Sequence, residues 1–209
     1  MAMSTSRFPP AVILAQGSSR RFGADKGLAQ LGGVPLVERV AARVAPQCAA
    51  LALNAPPGFA PIAARWGAAL VDDAPYPGMG PLAGIRAGLA WARGLDSGVG
   101  HLLVVPVDMP FLPTDLAVRL GAGLPGGEAS VARAAGERPI PVLGLWPISA
   151  LAEVEAALRA RENLAVRAVL QRLPWRAVTF PAAAVADLDD PLALALAERQ
   201  LHAGRGQPL

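Results

Sequence analysis

The chain has one cysteine, Cys48, and two histidines, His101 and His202, in 209 residues. A lone cysteine excludes an internal disulfide and agrees with a reducing compartment, so the cytoplasm is the expected location. Cys48 stands beside an apolar run, where a small packing residue is expected rather than a nucleophile. Neither histidine has a partner at metal-ligand spacing, which removes the usual zinc sites. A GxSxG elbow is absent, and with it the serine-hydrolase chemistry that turn supports. Aromatics are only 5% of residues, too few to build a base-stacking surface, and no basic run accompanies them, so nucleic acid is not an expected partner. No apolar run nears the roughly eighteen residues of a membrane span. The opening MAMSTSRFPP lacks the apolar core of a secretory signal. The net charge of +3 mildly favours anionic ligands.

What is present is an alternation. Apolar runs AVILA (11–15), ALALN (50–54), AALV (68–71) and HLLVVPVD (101–108) are separated by helical patterns at 34–45, near 60–66 and at 81–92. Continuous apolar strands between helices predict a parallel or mixed sheet covered on both faces. The second half predicts strands at 129–134, 140–146 and 175–180, helices at 148–161 and 164–173, and a closing helix over 189–201. Pro191 suits the first position of that helix and Asp190 its N-cap. The fold class expected is α/β, a three-layer α/β/α sandwich around a mostly parallel sheet. A single domain over 1–209 is expected, with its core at about 10–202 and frayed ends.

The loop after the first run, QGSSRRFGADKG, carries Gly17, Gly23, Arg20, Arg21 and Lys26. Ligands of open α/β sheets sit beyond the carboxyl ends of the strands. Glycines there let backbone amides approach an anion, and the cations can pair with phosphate oxygens. A polyphosphate is the economical ligand, although a solvated surface loop remains the plainer alternative. The spacing is not that of a P-loop, because Ala24 follows Gly23 where lysine belongs. It is not a GxGxxG dinucleotide loop either.

Carboxylates stand at other strand ends. Asp108 follows HLLVVPV, and Asp72–Asp73 follow AALV. Asp187, Asp189 and Asp190 cluster in ADLDDP. Mg²⁺ takes hard oxygen ligands, one or two carboxylates plus substrate phosphates, and Asp108 fits that need. A turn-starting Asp before Pro110 is the alternative. GMGPLAG (78–84) brings three glycines, Gly78, Gly80 and Gly84, to the approach of a helix, where backbone can come near a ligand or simply pack closely.

LAQGSSRRFGADKG resembles the LAGGxSxRxGxDK signature of nucleotidyltransferases with a glycosyltransferase-A-like, Rossmann-like fold. ALALNAP, GPLAGI (80–85), VVPVDMPFLP (104–113) and GERPIPVLGLW (136–146) narrow the resemblance to the molybdenum cofactor guanylyltransferase family, over roughly residues 11–200. The resemblance implies transfer of GMP from GTP to molybdopterin with release of pyrophosphate, and Mg²⁺ as cofactor. It implies that Leu14, Ala15, Gln16 and Gly17 hold the nucleotide by their backbone, that Asn54, Asp73 and Gly80 help bind it, and that Lys26 contacts phosphate. Asp108 would bind Mg²⁺, with Asp189 a second metal candidate. Arg20, Lys26 and Asp108 form the candidate catalytic group. Transient contact with molybdopterin-carrying proteins or acceptor enzymes is a further implication. Two departures stand out: Gln16 replaces a glycine, and DLDDP replaces N-x-N-T-P. A cytidylyltransferase on the same pterin, a sugar-phosphate nucleotidylyltransferase and a non-catalytic nucleotide binder remain alternatives.

Overall fold

A computed structural model of the protein describes residues 8–16, 25–95, 98, 100–161 and 163–205. In chain order the strands are β1 (Ala11–Leu14), β2 (Gln30–Leu31), β3 (Val34–Pro35), β4 (Leu51–Asn54), β5 (Ala69–Val71), β6 (His101–Pro106), β7 (Ala129–Ala134), β8 (Pro139–Pro147) and β9 (Trp175–Phe180). The helices are α1 (Leu36–Val44), α2 (Ala60–Arg65), α3 (Pro81–Arg93), α4 (Leu116–Gly121), α5 (Leu151–Ala160), α6 (Val166–Leu170) and α7 (Pro191–Arg205).

Seven strands form one sheet in the order β5-β4-β1-β6-β8-β7-β9. β5, β4, β1 and β6 run parallel, with Ile13 between Leu53 and Val105. β8 runs antiparallel to both β6 and β7, and β9 is parallel to β7. The unbroken apolar character of these strands has a simple cause, since side chains alternate and both faces are covered. Ala11, Ile13, Leu53, Leu103 and Val105 pack with Val37, Val40 and Val44 of α1 and Leu116 and Leu120 of α4. Val12, Ala52, Leu102 and Val104 face the other way, onto Leu82, Ile85 and Leu89 of α3 and Val154 and Leu158 of α5. The expected three-layer α/β/α arrangement is what forms.

Two elements escape the sequence pattern. α1 starts at Leu36 rather than near 34, because Val34–Pro35 pairs antiparallel with Gln30–Leu31. The turn between them is Gly32–Gly33, both at positive φ (58° and 75°), the backbone a tight hairpin needs. The dipeptide GG was the available signal. α4 was also missed, being only six residues long. β6 ends at Pro106, so Asp108 sits in a turn two residues past the ladder. α7 continues to Arg205 instead of stopping at 201. Asp190 Oδ1 accepts the Ala193 N–H at 2.8 Å, the N-cap bond expected of it.

α3 lies unusually close to the sheet. A Cβ placed on Gly84 would sit 2.3 Å from Asn54 Oδ1, and one on Gly88 would sit 2.7 Å from Val12 Cγ1. Gly84→Ala is therefore expected to destabilise the protein by about 1–3 kcal/mol through overpacking. Gly121→Ala is the control: its Cβ would meet Leu145 Cδ1 at 3.6 Å, an ordinary contact. Urea denaturation of the two variants checks this. Equal midpoints would show that α3 can lift off the sheet without cost.

Candidate active site

Parallel pairing brings the carboxyl ends of β1, β4, β5 and β6 to one edge of the sheet. Leu14, Ala15 and Gln16 leave β1 there. Asn54 ends β4, Asp73 follows β5, and Asp108 follows β6. The ladder continues into the connections: Ala15 N–H donates to Asn54 C=O at 2.8 Å, and Val107 N–H to Leu14 C=O at 3.1 Å. The loop residues Gly17, Arg20, Arg21 and Gly23 lie outside the described residues.

Lys26 returns from that loop in a 3₁₀ turn, Lys26–Leu28, and is only 9% exposed. Its Nζ donates to Asp108 Oδ2 and to Asp189 Oδ1, each at 2.9 Å. Burial alone would lower the lysine pKa. The bonds and charges of Asp189 and Asp108 outweigh it and hold the pKa above the ordinary value. Asp189 reaches the site because Leu188 N–H donates to Asp108 C=O at 2.9 Å, and the buried Leu188 side chain packs with Leu31, Leu36 and Ala197. The 187–190 segment is thus pinned across the end of β6. Asp187 joins the same charge cluster. Partial desolvation, although the residue is exposed, and then the charges of Asp189 and Asp108 push its carboxyl pKa up. The sequence reading gave Asp187 no role; the run of three aspartates in four residues was the signal.

The second constellation lies toward β5. Asn54 and Asp73 are both buried, and Asn54 Nδ2 donates to Asp73 Oδ1 at 2.9 Å and to Val71 C=O at 3.4 Å. Burial pushes the Asp73 pKa up; the Asn54 bond opposes this and the neighbouring Asp72 charge reinforces it. Gly80 starts α3 at φ 73°, ψ −164°, a conformation essentially reserved for glycine. Gly84, the last glycine of GMGPLAG, packs closely against the Asn54 amide, leaving no room for a Cβ beside Asn54 Oδ1.

Gln16 stands in the glycine position of the signature, yet it is not among the residues at positive φ. Glycine is therefore not demanded by the backbone there. Its Oε1 is buried without a hydrogen-bond partner among the described residues.

The donor set suits a hard divalent cation. Asp108 and Asp189 converge on one point, and Asp108 Oδ1 is buried and unpartnered among the described residues. No cluster of three or more His, Cys, Asp or Glu able to hold a metal occurs among the described residues. A protein-only cage is thus not built here. Two carboxylates with substrate phosphates is the coordination Mg²⁺ commonly uses.

The chain matches the MobA-like NTP transferase domain over residues 11–178. It is 42% identical over 182 residues to a molybdenum cofactor guanylyltransferase of Rhizobium meliloti (strain 1021), spanning 86% of this chain and 82% of that one. It is 39% identical over 203 residues to the protein of that name from Rhizobium leguminosarum bv. trifolii (strain WSM2304), spanning 93% of each. The fold is shared with molybdopterin-guanine dinucleotide biosynthesis protein A of Archaeoglobus fulgidus, with a TM-score of 0.74 at 23% identity over 93% of this chain and 99% of that one. It is also shared with 2-C-methyl-D-erythritol 4-phosphate cytidylyltransferase of Thermus thermophilus, with a TM-score of 0.69 at 21% identity over 93% and 99%. With the motif, the strand-end geometry and the sequence similarity in agreement, the chain belongs to the MobA-like NTP transferase family.

Proposed function

We propose that this chain transfers GMP from GTP to the molybdenum–molybdopterin cofactor, forming the guanine dinucleotide cofactor and releasing pyrophosphate. The observation that carries the reading is the meeting of Lys26, Asp108 and Asp189 at the carboxyl edge of the parallel strands. The names of relatives about 40% identical over most of the chain supply the substrates.

The chemistry needs little from the protein beyond charge and position. A terminal phosphate oxygen of the pterin attacks the α-phosphorus of GTP. The new O–P bond forms as the bond from the α-phosphorus to the bridging oxygen breaks, and pyrophosphate leaves with that electron pair. An attacking phosphate is already ionised near neutral pH, so no general base is required, in keeping with a site whose described residues include no histidine or cysteine. Mg²⁺, held by Asp108 and Asp189, would neutralise charge on the reacting phosphates. Lys26 pairs with phosphate oxygens and offsets the mutual repulsion of two anionic reactants. Arg20, in the loop that precedes Lys26, is assigned to the same task. The backbone of Leu14, Ala15, Gln16 and Gly17 cradles the nucleotide, Gly80 brings the start of α3 against it, and the Asn54–Asp73 pair flanks it. Holding both reactants for in-line attack supplies much of the remaining acceleration.

The decisive assay is pyrophosphate release with molybdopterin and either GTP or CTP. Turnover with GTP alone is expected; turnover with CTP alone would replace the guanylyl assignment with a cytidylyl one. Asp108→Ala is expected to lower kcat about a hundredfold or more in the presence of Mg²⁺, the scale of losing one electrostatic stabiliser. Unaltered release would remove Asp108 from the mechanism. Lys26→Ala is expected to weaken GTP binding about tenfold, as loss of one charge-assisted contact does. An unchanged Kd would contradict its phosphate role.

Asp73 offers a test independent of activity. Its raised pKa in the folded state means that the ionised form costs stability, a cost absent at low pH and incurred as pH rises through the folded pKa. Asp73→Asn should therefore raise the melting temperature at pH 7.5, with the gain shrinking toward pH 4 as the native carboxyl protonates. A gain of the same size at both pH values would contradict the burial argument.

A further inference from the structure

Lys26 and the two carboxylates present a conflict. A divalent cation between Asp108 and Asp189 would occupy the space the Lys26 ammonium now fills at 2.9 Å from both. Two cations cannot share that point, since at such distances their repulsion is large in any medium drier than water. We propose that Lys26 is an internal counter-ion: without nucleotide its ammonium holds the cation position between Asp108 and Asp189, and the site accepts a divalent ion only when nucleotide phosphate draws the ammonium away. This rests on the reading of the site as a metal-dependent nucleotidyltransferase centre, and it adds an order of events to that reading.

Three observations support it. The first is the bridging geometry itself, two equal contacts from one nitrogen to acids on different elements. The second is the unpartnered, buried Asp108 Oδ1. The ammonium satisfies one oxygen of that carboxylate and leaves the other wanting, so the lysine is an incomplete occupant of a position suited to a second ligand-bearing cation. The third is the place of the 187–190 segment: Leu188 N–H donates to Asp108 C=O at 2.9 Å and the Leu188 side chain is buried, so Asp189 is held beside Asp108 by contacts that do not involve the ammonium. An anionic triphosphate meeting these carboxylates needs its own counter-charge. A metal–nucleotide complex brings it, and its phosphates give Lys26 a new partner as the metal takes the old one. Lys26 then serves twice, as a guard of the carboxylates and as a phosphate ligand in the loaded site. The consequence is that metal and nucleotide enter as one unit.

The test is metal binding without nucleotide, followed with Mn²⁺ by electron paramagnetic resonance on the full chain. Wild type should bind Mn²⁺ weakly. Lys26→Met, which removes the competing cation and keeps the apolar stem, should bind Mn²⁺ alone at least about tenfold more tightly. Lys26→Arg should stay as weak as wild type, and Asp108→Asn should not gain. Equal or weaker Mn²⁺ binding by Lys26→Met would overturn the proposal. Binding of Mg²⁺-GTP to wild type, measured by calorimetry, separates the two layers. Its absence would sink the functional reading as well, whereas its presence beside an unimproved Lys26→Met sinks only the counter-ion role. Should Lys26→Met fail to fold, the lysine side-chain NMR signal of the wild type decides, identified by its loss in Lys26→Arg. At a Mg²⁺ concentration that saturates the GTP complex, Mg²⁺ alone should leave the Lys26 signal in place and Mg²⁺-GTP should shift it. A full shift with Mg²⁺ alone, or none with Mg²⁺-GTP, would overturn the proposal.

Discussion

A lysine ammonium drawn beneath the surface has to be neutralised where it lies, and at Lys26 the neutralising charges come from far along the chain. Asp108 is 82 residues away and Asp189 is 163. Removing one partner of a fully buried ion pair costs about 3–5 kcal/mol, because the other charge is left uncompensated. The cost here is smaller, since the Asp189 side chain is 61% exposed. The arrangement still explains why the chain crosses the end of β6 after β9. Leu188 is anchored in a small apolar cluster, its N–H bonds the carbonyl of Asp108, and the flanking acids are carried to the cation. α7 then packs on the β2–β3 ribbon, where Glu198 Oε1 accepts the Gly32 N–H at 3.1 Å. The end of the described chain thereby braces the segment that delivers Lys26.

The far half of the sheet solves a different problem. It must turn from parallel to antiparallel pairing without exposing backbone. Gly144 lies where β8 passes an irregular register in β7, and a Cβ there would fall 2.4 Å from Ser130 C=O. Trp146 is fully buried, and its indole N–H is satisfied by Pro141 C=O at 3.1 Å. α4 is short, and of its last carbonyls that of Gly121 accepts the Leu124 N–H at 3.1 Å in the following turn. Arg176 of β9 reaches over and donates to Leu120, Ala122 and Gly123 C=O, a tertiary substitute for a C-cap. Arg119 returns the tie from α4 by stacking 4.1 Å from the Phe180 ring and donating to Thr179 C=O. β9, a half-exposed edge strand, is held by these contacts as well as by its ladder.

Much of this was legible in the sequence for one reason: strands buried on both faces are written as continuous apolar runs, and those runs need no long-range information to be found. The carboxyl edge was legible for the same reason, since a polar residue ending such a run falls there. Asp108 and the pair Asp72–Asp73 were placed there by that pattern, whereas Asn54, and Asp73 over Asp72, came from the family resemblance. What was not legible depends on distance. Nothing local says that Asp189 meets Lys26, or that Asp187 shares its field. Close packing was one of the two readings open for the glycines of GMGPLAG, but that Gly84 makes room for Asn54 was not legible, since nothing local names so distant a partner. α4 failed for a third reason: at six residues it spans fewer than two turns, too short for a 3.6-residue period to rise above chance. The β2–β3 hairpin is the instructive case, for its GG turn was in plain view and the neighbouring helical pattern overrode it.

The two departures from the family signature differ in physical kind. At Gln16 the question is steric. A glycine matters where φ is positive or where a Cβ would strike something, and the first condition is not met. The backbone there tolerates a side chain, and what the side chain adds is a buried amide oxygen that no described residue satisfies. At Asp189 the question is electrostatic. An asparagine in that place could also accept a hydrogen bond from Lys26, but it would remove one of the carboxylates that the described residues bring to the ammonium. The second carboxylate holds the lysine more firmly and raises its pKa. It also deepens the negative potential at the carboxyl edge of the parallel strands. A stronger resting clamp and a stronger demand for accompanying positive charge are thus the same substitution seen from its two sides, and neither can be tuned without moving the other.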